Sequence, residues 1–397
     1  MNNKKILNKK RERENFEDKQ NDITENQNFK NFNEDCNFNI EFKSNPKNIH
    51  FLKNLINEKP AKNKSYNNSF IVFNSIHNIL YLIYSDINNC AMISYNINDN
   101  KKMNSIKNAH HYYITEFRHH QDNSNKRDLI ISLSAWICDI RVWDVNNFDC
   151  LFNIEEPDEI DNKPNDTFLY SSCFLCENSN IYIVFGKQNI VYDENERPIK
   201  VFNLSGKLIK DMNESGEGTN YIDNYYDEKS SKHFIISKYK MNDDDYIKSF
   251  DFKENKLFHK YRENNNNYDD NSDFENSDYT DDIIINDKGK IVELFDFSYD
   301  NYIRIWNFHS GELLRKININ IHSNIYSFFL WNKKYLIMGC NDCTIKILDI
   351  EKETIIKELL VHLDVVKTIR KLIHPKYGEC LLTQGKTEEN IKLWITN

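Results

Sequence analysis

The chain is predicted to be all-β: a seven-bladed β-propeller of four-stranded antiparallel blades, closed by an N-terminal strand in the last blade. Two observations predict it, a strand that recurs seven times and an outer strand missing from the final unit. The recurring strand reads AMISYNI ending at Ile97, DIRVWDV at Val145, PIKVFNL at Leu204, YIKSFDF at Phe252, YIRIWNF at Phe308, TIKILDI at Ile350 and NIKLWIT at Thr396. Each copy sets a cation or small polar residue among apolar ones and carries an anchor: Tyr95, Trp143, Phe202, Phe250, Trp306, Leu348 and Trp394. The anchors recur every 42 to 59 residues, a period that belongs to stacked β-blades.

Period-two alternation places the strands within each unit. In the second unit YYITEF is the inner strand, DLIISLSA the next, DIRVWDV the third and CLFNI the outer. The sixth repeats that order with NIYSFFLW, KYLIMG, TIKILDI and TIIKELL. The seventh supplies VVKTIRKL, ECLLTQ and NIKLWIT, with no fourth strand after them. A blade without its outer strand exposes an unpaired edge. The expected donor is the segment Asn48 to Ile56, NIHFLKNLI, laid beside Trp394.

Two domains follow. Residues 1–47 form a polar Asn/Lys/Glu-rich leader expected to be disordered, and residues 48–397 form the propeller. The cluster Lys4, Lys5, Lys9, Lys10, Arg11 and Arg13 reads as a solvated tail, with a nuclear-import address as the alternative. An acidic, Asn-rich stretch at about 264–282 falls between two blades and is expected to be a long surface loop. Glycine (9) and proline (6) are scarce, so asparagine, which tolerates the left-handed backbone, is expected to take over turn positions.

The formal charge of −9 offers no general basic face, so direct nucleic-acid binding is not expected. No apolar run has the length of a membrane span; the longest, such as ILYLIY from Ile79 to Tyr84, fit strands. Residues 1–20 lack the apolar core of a secretory signal. Nine scattered cysteines, an odd number, fit a reduced compartment: the cytoplasm, with the nucleus as alternative.

The anchors carry a family resemblance. Trp143-Asp144 is a complete Trp-Asp ending, Trp306-Asn307 and Leu348-Asp349 keep half of it, and three of the five tryptophans fall on the anchor position. Histidines at 110, 322 and 362 precede the inner-strand residues Ile114, Ile325 and Val366, and Asp300 and Asp342 stand six residues before their anchors. On these residues the last 350 positions or so resemble the WD-repeat β-propeller family. The resemblance implies a buried chain of His, Ser or Thr, Asp and Trp bracing each blade. Ser298, Asp300 and Trp306 match three members and His322 with Asp342 two, so no blade is expected to hold a complete set. A partly satisfied network predicts a softer blade. The third and fourth units depart furthest, with no evident His or Trp and an insertion, NIVYDENER, before Pro198.

Chemistry-bearing patterns are sparse. Two Cys-x-x-Cys pairs, Cys173/Cys176 and Cys340/Cys343, sit in the third and sixth units. Residues three apart on a strand point to opposite faces, so the first pair cannot share a metal, and the second supplies half a tetrahedral site. His110 belongs to the repeat, while His111, His119 and His120 are expected at strand ends on the surface. Neither a nucleophile elbow, a Gly-rich phosphate loop nor a zinc-protease motif is present. The expectation is therefore no metal, no cofactor and no catalysis.

What remains is the loop face. The family resemblance implies that partners dock where loops enter the inner strands and turn before the third strands. The residues at those places are Tyr113, Trp136, Tyr299, Tyr326, Asn341 and Lys367, together with Thr115, Asn324 and Val365. Tyr and Trp supply large contact area with a polar tip. The expected function is a scaffold or adaptor that binds other proteins or peptides; nothing in the sequence sets its oligomeric state. One alternative is a substrate receptor of a ubiquitin ligase, although Asn146 stands where such receptors carry Arg. Another is a phosphoinositide-binding propeller, whose Phe-Arg-Arg-Gly motif is approached only by Phe117-Arg118-His119-His120. Assembly of ribonucleoprotein particles through protein contacts stays open.

Overall fold

The computed structural model describes residues 42–55, 69–86, 90–99, 101–134, 139–155, 170–187, 198–215, 219–241, 244–263, 283–297, 302–319, 323–386 and 390–396. All lie in the compact unit Asp35–Asn397. Seven antiparallel four-stranded sheets stand in a ring, and in six of them the strands follow chain order. The third strands are Ala91–Asn96, Asp139–Asp144, Ile199–Asn203, Asp244–Asp251, Tyr302–Asn307, Thr344–Asp349 and Ile391–Ile395, so each expected anchor lies in one. The inner strands are Phe70–Asn74, Ile114–Asp122, Tyr170–Glu177, Tyr221–Asp227, Ile284–Asp287, Ile325–Asn332 and Val366–His374. Blades 3 and 4, least regular in sequence, are complete four-stranded sheets like the rest. The insertion before Pro198 and the acidic stretch 264–282 lie outside the described residues.

The seventh blade takes its outer strand from the other end of the chain. His50–Asn54 pairs antiparallel with Ile391–Ile395, Phe51 opposite Trp394, within the segment expected to close the ring. The Phe51 ring meets Trp394 edge-on at 5.4 Å. Residues 42–47, assigned by composition to the leader, carry Phe42 into the core shared by blades 5, 6 and 7.

Asparagine does take turn positions: Asn78, Asn108, Asn178 and Asn255 have φ of 59°, 53°, 50° and 54°. Two features repeat around the rim. Every outer strand bulges opposite its anchor, and the extra residue is always apolar: Met103, Leu151, Ile209, Phe258, Leu314, Ile356 and Leu52. Next to the bulge, four consecutive blades send a donor to a backbone carbonyl of the following blade. Lys210 Nζ reaches Phe252 O (2.6 Å), His259 Nε2 reaches His309 O (2.6 Å), Arg315 reaches Ile350 O (2.6 Å) and Lys357 Nζ reaches Ile49 O (2.8 Å). Among the described residues no sheet has a fifth strand, and the outer edges of blades 3 to 6 are each tied in this way to the next blade.

Candidate functional site

The loop face is positioned by how each blade is braced beneath it. Blade 2 contains a full polar chain. Trp143 Nε1 donates to Ser132 Oγ (2.7 Å), Ser132 Oγ is 2.6 Å from His110 Nε2, and His110 Nδ1 is 2.9 Å from Asp139 Oδ2. One assignment gives every contact a single proton: indole N–H to serine oxygen, serine O–H to Nε2, and Nδ1–H to the carboxylate. Burial keeps His110 neutral, below its ordinary value, against the pull of Asp139. Burial also raises Asp139, but His110 and Arg141 together hold it below the usual carboxylate value. This corrects the expectation that no blade holds a complete set: the acid is Asp139, at the start of the strand, instead of in the preceding turn.

Blade 7 has three members, with Thr383 Oγ1 2.8 Å from His362 Nε2 and 2.9 Å from Trp394 Nε1. In blade 5 the register puts Asp296 where Ser132 and Thr383 stand. Asp296 pairs with Lys238 of blade 4 at 3.1 Å, and the buried Trp306 Nε1 has no hydrogen-bond partner among the described residues. Ser298, Asp300 and His322 lie outside the described residues. In blade 4 Ser237 takes the equivalent place and bonds Thr219 from the loop before the inner strand. Blades 1 and 3 replace the polar chain by stacked rings, Tyr84 on Tyr95 (5.9 Å) and Phe185 on Phe202 (5.3 Å). In blade 3 both members of the pair are apolar, so the place of the network itself demands no hydrogen bond.

Above this bracing, the inner strands of blades 2, 6 and 7 each carry a bulge at their first turn on the loop side. The extra residues are Thr115, Tyr326 and Lys367, each following a fully buried Ile114, Ile325 or Val366. A bulge re-aims one side chain out of the pleat. Thr115 turns back to donate to Leu133 O (3.2 Å), and all three residues are half-exposed. Tyr113 precedes the inner strand of blade 2, half-buried, and its carbonyl accepts from Ser134 Oγ (3.4 Å). Asn341 is exposed and pairs reciprocally with Asn324 at 2.9 Å in both directions, joining two loops of blade 6. The carbonyl of Cys343 (φ 68°) accepts from Val361 N and so ties that turn to the loop entering blade 7. The structure thus brings Tyr326, Asn341 and Lys367 into one sector across blades 6 and 7. Tyr113 lies two blades away, and Trp136 and Tyr299 lie outside the described residues.

That sector holds two residues the sequence reading passed over. Leu360 and Leu363 are 75% and 90% exposed, while Val361 and His362 between them are 5% and 2%. The repeat histidine must turn inward to reach Thr383, which drags its neighbour in and turns the flanking leucines out. No such signal stood in the sequence: in the run Leu360-Val361-His362-Leu363, period-two alternation would put Leu360 on the same side as the buried His362.

Other expectations need correction. His119 is not on the surface; it is buried mid-strand, 2.8 Å from Asp128 Oδ1 and stacked on Phe73. His120 is likewise mid-strand, its Nε2 3.0 Å from Cys176 Sγ. Burial, with His119 adding to it, pushes His120 down to about 4, and burial with Asp122 pushes the Cys176 thiol up to about 12. Both are neutral at pH 7, the opposite of an activated thiolate–imidazolium pair. Among the described residues no three His, Cys, Asp or Glu side chains gather as metal ligands, and no helix is long and apolar enough to cross a membrane. The chain matches no protein-family model and no curated protein sequence.

Proposed function

We propose that this chain is a WD-repeat-type propeller acting as a non-catalytic scaffold or adaptor, binding other proteins or peptides through the blade 6–7 sector of its loop face. The observation that carries the reading is the pair Leu360 and Leu363, exposed on the connection that leads from the outer strand of blade 6 to the bulge residue Lys367 of blade 7 and is tied to the Cys343 carbonyl. Exposed apolar side chains grouped with an aromatic and a cation form the core-and-rim pattern of a protein-binding surface. The complete polar chain of blade 2 and the partial one of blade 7 support the WD-repeat assignment. A cytoplasmic or nuclear setting fits nine scattered cysteines, an odd number.

Of the two alternatives, the phosphoinositide reading loses its cation. Arg118 is 6% exposed and is committed to Glu116 (2.6 Å) and Ile222 O (3.3 Å). The ligase-receptor reading would be favoured by recovery of adaptor and ligase subunits. The deciding experiment is affinity purification from native cells with the wild type and the double variant Leu360→Ser/Leu363→Ser. Partners retained by Tyr113→Ala but lost by the double variant support the sector; an unchanged partner set removes it.

A further inference from the structure

The opposite face of the ring holds a peptide already, residues 42–49 of the chain itself, lying along the seam between blades 6 and 7. Phe42 is 1% exposed, with its ring 4.3 Å edge-on from that of the fully buried Trp331 and with Lys371 Nζ 5.9 Å from its centroid. The Glu379 carboxylate accepts the next two backbone N–H groups, Lys43 at 2.6 Å and Ser44 at 2.7 Å. Trp331 Nε1 donates to Ser44 O at 3.0 Å. At the far end Lys357 Nζ donates to Lys47 O (2.6 Å) and Ile49 O (2.8 Å). Trp331 and Lys371 belong to inner strands and Lys357 to the outer strand Thr354–Leu360, so the segment runs outward from the ring's inner edge.

Three groups of the ring read three features of the segment: a pocket takes the aromatic ring, a carboxylate takes two consecutive N–H groups, and an indole takes a carbonyl. Lys43 keeps its side chain exposed, so its identity is not read there, although proline at either position would remove a donor. Ring closure does not require any of this, because His50–Asn54 pairs with Ile391–Ile395 independently of the groups that hold Phe42. Trp331 is also a tryptophan outside the anchor set, and its N–H is used on the segment alone.

We infer that the seam is a peptide-recognition groove carrying a tethered occupant. Its partner is an extended protein segment presenting phenylalanine followed by two non-proline residues, which displaces residues 42–49. A tethered occupant competes at an effective concentration on the order of millimolar, so the groove is closed to weak ligands and open to a matched one.

The test uses the full-length chain and a fluorescein-labelled peptide of residues 39–49, followed by anisotropy. The Phe42→Ala chain, with its pocket vacated, binds the peptide saturably and about tenfold more tightly than the wild type does. Adding Glu379→Gln weakens that binding about tenfold, since one acceptor oxygen becomes an NH2 donor and the remaining hydrogen bond loses its charge. A peptide with alanine for phenylalanine does not bind. Absence of binding to a folded Phe42→Ala chain, or equal binding of the alanine peptide, overturns the groove. Native-state hydrogen exchange on the wild type decides independently of any variant. The Lys43 and Ser44 amides exchange by a local opening ahead of Ile391–Ile395; exchange in step with that strand overturns displacement.

Discussion

One hydroxyl, that of Ser132, serves the indole of Trp143 and the imidazole of His110 at once. Ser132→Ala strands both groups inside blade 2 and is expected to cost about 2–4 kcal/mol, read from the denaturant midpoint. Trp306 offers the contrast, because its N–H has no partner among the described residues. Trp306→Phe is expected to cost about 1–3 kcal/mol less than Trp143→Phe in the same assay. Acid acts through buried histidines. Burial depresses His120 and His233 to about 4, so between the ordinary 6.5 and 4 the unfolded chain takes up protons that the folded chain refuses. Stability therefore falls as the pH drops through that window, by up to ~3 kcal/mol per histidine. Urea melts from pH 7.5 to 4.5 should show the loss, and His120→Gln with His233→Gln should lessen it, leaving the part due to His110 and His374. The histidine of the blade 2 network was legible in the sequence. The network itself was not, because Asp139 stands four residues before Trp143, and only strand register assigns Ser132 its role.

At the scale of strands and seams, space decides. A methyl group on Gly339 would lie 2.6 Å from Val366 O and 2.7 Å from Ser327 Oγ, where blade 6 presses on blade 7. Gly339→Ala is expected to destabilise by about 1–3 kcal/mol in thermal or denaturant unfolding, as overpacking of a tight seam does. Gly186 occupies the same register in blade 3 and faces Thr219 and Ile222 of blade 4, so its alanine variant should behave alike. Strand existence and order were legible from alternation. The outer-strand bulges were not, although all seven extra residues are apolar. An inserted residue shifts the alternation by one, and a sequence read without its partner strand gives no reason to prefer the shifted phase.

For the molecule as a whole, closure governs cooperativity. Deleting residues 1–54 removes both the Phe42 anchor and the strand paired with Ile391–Ile395, leaving the Trp394 strand as an open edge. The shortened chain is expected to lose a single cooperative calorimetric transition and to self-associate on a sizing column. Retention of a single sharp transition would show that the other blades hold the ring without that strand.

By itself the sequence determined the all-β class, the seven anchors, the missing strand and the segment that supplies it. These are properties of period and count, which a linear text preserves. Only the tertiary structure decided which polar residues meet, which leucines are turned outward at blades 6 and 7, and where Phe42 is seated. Those depend on contacts between residues as distant as Ser44 and Glu379, whose mutual position exists only once the ring has closed.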